Sequence, residues 1–202
     1  GFAGGSVTEQ ILPYARWLAN QGYLVIGANY TLSDRKVHAW NIAEGQIACA
    51  LAWANRHAAA YGGDVSRLGM YGESAGGNLV INASYKIAQG KLQSPCGGSL
   101  PEVRAVSAIY PVVGIIESYE NSHMLGRIGR QFDEQYLGGT PKQFPERYAA
   151  VQSANAVSAD APPTLMVYGA SDHLVPPGGT RNFTAAARRA GVTVRAIEVP
   201  YG

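Results

Sequence analysis

Ser74 carries the most chemistry in its immediate surroundings. It lies within Gly72-Glu73-Ser74-Ala75-Gly76-Gly77, where the apolar run Leu68-Gly69-Met70-Tyr71 gives way to helical spacing. A serine lifted on a tight strand-to-helix turn projects its hydroxyl clear of the backbone, and the helix N-terminus aims free N–H groups at whatever that oxygen attacks. Such a nucleophile elbow needs residues as small as Gly72 and Gly76, so that strand and helix can approach each other. A plainer reading of the same residues is a helix capped by Ser74 after a glycine turn. A hydroxyl is a poor nucleophile near neutral pH, so Ser74 requires a base to take its proton and an acidic group to orient that base.

Where such an elbow works, the order along the chain is Ser, then Asp or Glu, then His, with the acid in a loop after a later strand. Asp172 fits, following Leu165-Met166-Val167-Tyr168 and the turn Gly169-Ala170-Ser171. Its alternative role is that of a loop residue or a cap. Asp160 precedes the same strand and is worse placed. None of the four histidines, His38, His57, His123 and His173, follows the final apolar run Val192 to Val199, where the base is expected. His173 adjoins Asp172 and reads as a polar loop residue, while His38 and His57 read as surface positions on a long helix. His123, in an irregular stretch, could reach the site.

The scaffold follows from periodicity. Ser6 with Glu9 forms a capping box, and Ile11, Tyr14, Ala15 and Leu18 keep helical spacing, which predicts a helix over 6–20. Tyr23 to Asn29 reads as a buried strand. A helix from Val37 to Ala60 places Ala43, Ile47, Ala50, Leu51 and Ala54 on one face, and Gly76, Leu79, Val80, Ala83 and Ile87 mark the helix after Ser74. Further strands are predicted at Arg67–Tyr71, Val103–Tyr110, Thr164–Tyr168 and Val192–Val199, with a helix around Phe183, Ala186, Ala187 and Ala190. This alternation implies an α/β fold, a mostly parallel sheet with helices on both faces. Residues 111–160, with weak periodicity and with Pro141 and Pro145, read as an insertion in a single domain. Tyr119, Phe132, Tyr136 and Phe144 could line a pocket there or form the insertion's own core.

Composition narrows the partners. The 202 residues are 47% hydrophobic and 15% charged, with a net charge of +2, which argues against nucleic acid and for a small neutral substrate. No run of about 18 apolar residues suggests a membrane span. A soluble segment is expected, with the cytoplasm favoured and a leader upstream of Gly1 left open. Cys49 and Cys96 suggest no disulfide framework and read as a buried and a loop thiol. No metal-ligand spacing and no phosphate or dinucleotide loop motif is present, so neither metal nor cofactor is expected.

Three segments together resemble a known group: Tyr61-Gly62-Gly63-Asp64-Val65-Ser66-Arg67-Leu68, Gly72-Glu73-Ser74-Ala75-Gly76-Gly77-Asn78-Leu79, and Gly169-Ala170-Ser171-Asp172-His173-Leu174-Val175. In order and separation they are similar to α/β-hydrolases of the hormone-sensitive-lipase-like carboxylesterase group. The resemblance implies a serine esterase acting on small ester substrates through an acyl-enzyme. In it Ser74 is the nucleophile, Asp172 the orienting acid and the Ala75 N–H an oxyanion donor. Gly1-Phe2-Ala3-Gly4-Gly5 resembles the tail of a His-Gly-Gly-Gly segment, making Gly1 the other donor. The insertion would be a cap over the serine. A serine peptidase of the same fold and a non-catalytic binding protein on the same scaffold remain as alternatives. The base and the leading strand have no counterpart, so truncation at both ends is expected, as is a fragment nearly inert and unstable by itself.

Overall fold

Four short apolar segments pair into one parallel sheet in the computed structural model, which describes residues 1–121 and 123–200. These are β1 (Gly69–Glu73), β2 (Ala105–Ile109), β3 (Thr164–Gly169) and β4 (Val194–Val199), and their order in space is their order in the chain. The register sets Glu73 opposite Ile109, Val106 opposite Thr164, and Gly169 opposite Val199. Because all four strands run the same way, their C-terminal ends share one rim. Sequence expectation and structure agree on these strands to within two residues at each end.

Parallel neighbours need crossovers, and helices provide them. Between β1 and β2 runs α3 (Ala75–Ala88), and between β3 and β4 runs α7 (Pro177–Arg189). Both lie on one face of the sheet, where the rings of Tyr85 and Phe183 sit 5.9 Å apart and Val106, Ala108 and Met166 are fully buried. Tyr85 Oη shares a hydrogen bond with Thr164 Oγ1 at 2.9 Å, so its buried hydroxyl is satisfied. The opposite face is approached by α1 (Leu12–Asn20), whose Tyr14 ring lies 6.3 Å from Tyr71. The capping box forms, with Glu9 N–H donating to Ser6 Oγ at 3.3 Å, though the first turn, Val7–Ile11, is a π-turn rather than α.

α2 (Ala43–His57) is shorter than its periodicity suggested and is flanked by 3₁₀ turns at Ala39–Asn41 and Ala58–Tyr61. It buries Ala43, Ile47, Leu51 and Ala54, as expected, while Ala50 is half-buried. The strand expected at Tyr23 to Asn29 is not formed. That segment has no ladder partner among the described residues, and Tyr23, Leu24 and Ile26 are exposed. Extended backbone becomes a strand only when a neighbour accepts its hydrogen bonds. Here Asn29 instead uses its side chain, whose Oδ1 accepts from Val7 N–H at 3.0 Å.

The stretch 111–160 is more regular than expected. It holds α4 (Ile115–Tyr119), α5 (Gly126–Leu137) and α6 (Pro145–Val151), then a 3₁₀ turn at Ser153–Ala156. Helices this short carry only one to three turns of pattern, too little for periodicity to stand out. Ile115, Tyr136, Leu137, Tyr148 and Val151 pack into one cluster with Phe2, Ile47, Leu51 and Leu79.

The thiol reading of Cys49 and Cys96 is overturned: the two form a disulfide, with Cα atoms 5.4 Å apart. Gly97 and Gly98, both at positive φ, turn the loop back onto α2, where Pro95 lies against Gly45 and Gly98 against Ala52. Spacing alone does not reveal this, because the approach depends on how the loop after α3 folds. The bond closes a 47-residue separation, so replacing both cysteines by serine in the whole protein should lower unfolding stability by about 2–4 kcal/mol, read by chemical denaturation.

Candidate active site

The elbow forms as the glycine pattern required, with one substitution of roles. Ser74 leaves β1 at φ 51° and ψ −118°, a conformation that a side-chain-bearing residue adopts at a cost of about 1–3 kcal/mol. A Cβ on Gly72 would sit 2.3 Å from the Gly76 carbonyl oxygen, and one on Gly77 would sit 2.7 Å from Pro111 Cβ. A Cβ on Gly76 would meet open space, so the small residues that permit the approach are Gly72 and Gly77, not Gly72 and Gly76. Gly76 takes part through its backbone. The capping alternative also fails, since the Ser74 side chain makes no cap hydrogen bond to α3 and its hydroxyl is not spent on the helix.

Ser74 is held at both of its main-chain polar atoms by the exit of β2. Its N–H donates to Ile109 O at 3.0 Å, and its carbonyl accepts from Val112 N–H at 3.1 Å as well as from Asn78 N–H at 3.2 Å. Ala75 begins α3, whose opening N–H groups have no partner within the helix. Glu73, just before the serine, accepts from two phenols: Tyr71 Oη donates to Oε1, and Tyr110 Oη donates to Oε2 at 2.9 Å. Burial, with the Glu73 carboxylate beside it, pushes the Tyr110 phenol up to about 12, and the same causes raise Tyr71, so both remain donors near neutral pH.

Asp172 lies on the same rim, in the loop after β3. Leu174 N–H and Val175 N–H both donate to its Oδ1 at 2.9 Å, which fixes the carboxylate, while Oδ2 makes neither contact. The Asp172 charge adds to the upward push on Tyr110, which ties this loop electrostatically to the elbow's neighbour. β4 ends beside the loop, with Ala170 N–H donating to Val199 O at 2.8 Å. Gly1 belongs to the same region. Its carbonyl accepts from Tyr30 Oη at 2.9 Å, and the Glu73 charge is felt at its nitrogen.

The histidines divide. His38 is not a free surface residue: its Nδ1 bonds the Gln135 carbonyl of α5 at 2.6 Å. The His57 ring lies tilted against Trp53, centroids 5.0 Å apart. His123 lies face to face with His173, centroids 3.9 Å apart, and Asn121 Nδ2 donates to His173 O at 2.8 Å, so the insertion touches the acid loop. The four aromatics of the insertion go mainly to packing. Tyr136 is buried and stacks on Phe2 at 4.0 Å, Tyr119 meets Tyr148 edge-on at 5.7 Å, and Phe144 lies beneath the Arg147 guanidinium at 3.8 Å. Phe132 is exposed. Among the described residues no cluster of three or more His, Cys, Asp or Glu is placed to hold a metal ion, and no helix is long and apolar enough to cross a membrane.

With this geometry in place, comparison with known proteins adds the lineage. A profile of the family described as BD-FAE matches residues 1–186. The chain belongs to the BD-FAE family. Esterase LipQ of Mycobacterium tuberculosis is 28% identical to this BD-FAE chain over 193 residues, covering 95% of the chain and 44% of LipQ. A probable carboxylic ester hydrolase of the same organism, LipM, is 28% identical over 187 residues, covering 92% of the chain and 42% of LipM. The chain therefore spans less than half the length of these curated relatives. Among solved structures, an acetyl ester-xyloside bifunctional hydrolase from Caldicellulosiruptor lactoaceticus superposes with a TM-score of 0.75 at 22% identity, covering 100% of this chain and 71% of the other. The fold is that of the α/β-hydrolases.

Two features of this BD-FAE chain were not visible in its residue pattern. Asn78 Nδ2, on the buried side of α3, reaches Val112 O at 2.9 Å and Val151 O at 3.0 Å, tying the helix behind the serine to both ends of the insertion. Asp133 of α5 is 2% exposed and accepts from Ser118 Oγ at 3.0 Å. Burial raises its carboxyl to about 7, with Glu134 adding to the rise and the Ser118 bond opposing it. The signal for Gly72 was present in sequence, while that for Asp133 was not, since an acidic residue on an amphipathic helix normally faces water.

Gly72→Ala should cost about 1–3 kcal/mol of stability, because the new methyl meets backbone rather than a movable side chain. Chemical denaturation of the whole protein and of the variant reads this loss. For Asp133 the unfolded state loses its proton near the ordinary carboxyl value of 3.8 while the folded state keeps it to about 7. Stability therefore falls as pH rises across that window. Asp133→Asn keeps an acceptor for Ser118 and removes this slope, so urea unfolding should find its stability relative to the native protein improving by about 2 kcal/mol from pH 5 to pH 8.

Proposed function

We propose that the protein is a carboxylesterase that hydrolyses small, short-chain acyl esters through an acyl-enzyme on Ser74. The observation that carries this reading is the strained elbow, in which a serine at φ 51° keeps its hydroxyl out of the helix cap it precedes. Ser74 Oγ attacks the ester carbonyl carbon, giving up its proton to a base, and the C–O bond to the alcohol breaks as that base returns the proton to the leaving oxygen. Water then repeats the attack on the acyl-Ser74 ester and releases the acid.

Ala75 N–H and the Gly1 backbone are proposed as oxyanion donors, supported by the N–H groups that open α3 without a partner inside the helix and by the likeness of Gly1-Phe2-Ala3-Gly4-Gly5 to a glycine-rich donor segment. Asp172 is proposed as the acid that orients the base, through the Oδ2 that its turn leaves uncommitted. A base delivered from the segment after β4 would meet this carboxylate, because β4 ends against Ala170. Residues 111–160 are proposed as a cap on a single hydrolase domain, supported by the contact between Asn121 and the acid loop. Ester hydrolysis is the activity that the relatives' names share. The Cys49–Cys96 disulfide favours an oxidising compartment over the cytoplasm suggested by composition, since cytosolic thiols are kept reduced.

The deciding comparison is p-nitrophenyl acetate hydrolysis by the whole protein and by its Ser74→Ala variant. The variant should lose at least about 10³-fold in kcat. Equal rates for the two proteins would end the proposal.

A further inference from the structure

Only two non-glycine residues among those described have positive φ, Ser74 at 51° and Tyr110 at 36°. They are not scattered. Glu73 and Ile109 are register partners at the ends of β1 and β2, so Ser74 and Tyr110 are the next residue on each of two adjacent strands. Both strands leave the sheet at the same level through a conformation that L-residues avoid. Glu73 joins the two exits, because it precedes one strained residue and accepts the hydroxyl of the other at 2.9 Å.

The main-chain bonds show why this joint bears on the serine. Ser74 N–H hangs from Ile109 O, and Ser74 O is held by Val112 N–H, so the segment 109–112 grips the serine's peptide groups on both sides. Tyr110 lies within that segment, and its own N–H donates to Val167 O of β3 at 2.7 Å. The Tyr110 hydroxyl on Glu73 Oε2 closes a ring from β1 through the serine to β2 and back. Tyr71, on the same face of β1 as Glu73, holds the other carboxylate oxygen and stops the side chain from swinging away. A phenol donating to a carboxylate is a charge-assisted bond, stronger than one between neutral groups.

We propose that Glu73 is a positioning residue for Ser74, acting through Tyr110: its carboxylate pins the exit of β2 to the elbow and so fixes the direction of the serine hydroxyl. The proposal rests on the reading of Ser74 as a nucleophile. It assigns the residue between Gly72 and Ser74 a task that the glycines do not perform. Glycine absence of bulk permits the turn, whereas Glu73 restricts how far the turn can drift.

The test compares Tyr110→Phe, Glu73→Ala, the double variant, Glu73→Gln and Tyr85→Phe in the whole protein, each with kcat, KM and melting temperature. Tyr110→Phe and Glu73→Ala should each lower kcat about tenfold with KM changed by less than about twofold, since a misdirected nucleophile slows chemistry without weakening binding. The double variant should be no worse than either single one, because both remove the same contact. Glu73→Gln, which can accept from one phenol and donate to the other, should restore most of the rate. Tyr85→Phe loses a buried hydroxyl bond at the far end of the sheet and should lower the melting temperature without lowering kcat. If Glu73→Ala does not fold, Tyr110→Phe decides alone, being the loss of a single partly exposed oxygen. A kcat for Tyr110→Phe within about twofold of the native value, a loss confined to KM, additive losses in the double variant, or an equal loss in Tyr85→Phe would each overturn the proposal. A Ser74→Ala protein as active as the native one would remove the esterase reading and this inference with it, and that outcome is recognisable because it appears in a different variant.

Discussion

The absence of a side chain at Gly72 is the constraint from which the rest of the site follows. The Gly76 carbonyl stands 2.3 Å from where a Cβ would be, so β1 and α3 can meet at this angle only if one side offers bare backbone. That approach forces the strand to turn into helix within a single residue, and the residue at the turn takes φ 51°. The strain persists because the surroundings over-determine it. Leu79 and Ala83 pack one side of α3 and Ile81 and Tyr85 the opposite side, while the ladder to β2 holds the strand, so neither element can back away to relieve the turn.

Parallel pairing then does for the other residues what the elbow does for Ser74. Because β1 to β4 lie in chain order and run the same way, every loop that follows a strand emerges at one rim. The Asp172 loop, the β2 exit with Tyr110 and the end of β4 are neighbours for that reason alone. The opposite rim holds a recess of about 660 Å³ between Leu100 to Arg104 and Asp160 to Pro163, but it opens at the N-terminal ends of β2 and β3, away from the serine. The size of a cavity and the place where chemistry is set up are separate matters in this molecule.

Much of this was legible in the residues because the rules involved are local. The glycines around Ser74, the alternation of strand and helix, and an Asp just past a strand are patterns over a handful of positions, and each formed near where it was expected. What was not legible depends on contacts between distant segments. The disulfide needs the loop after α3 to fold onto α2, 47 residues away. The burial of Asp133, the bond from His38 to Gln135 and the joint between Glu73 and Tyr110 depend on how the insertion and β2 are placed. Tyr23 to Asn29 has a strand's composition without a strand's partner, and a run of apolar residues does not say who its neighbour will be. Gly76 shows the same limit at short range, since its neighbour Gly77 turned out to be the crowded position.

The stack of Phe2 on Tyr136 has a bearing on how such a protein can change. One ring belongs to the glycine-rich segment offered as an oxyanion cradle, the other to the helical insertion offered as a cap, and their centroids are 4.0 Å apart with planes 16° from parallel. A substitution that reshapes the insertion for a different ester would shift Tyr136, and through it the backbone next to Gly1. On the proposed esterase reading, selectivity and turnover would share a mechanical part, and a lineage adapting to new esters would be expected to alter both rings together rather than either one alone.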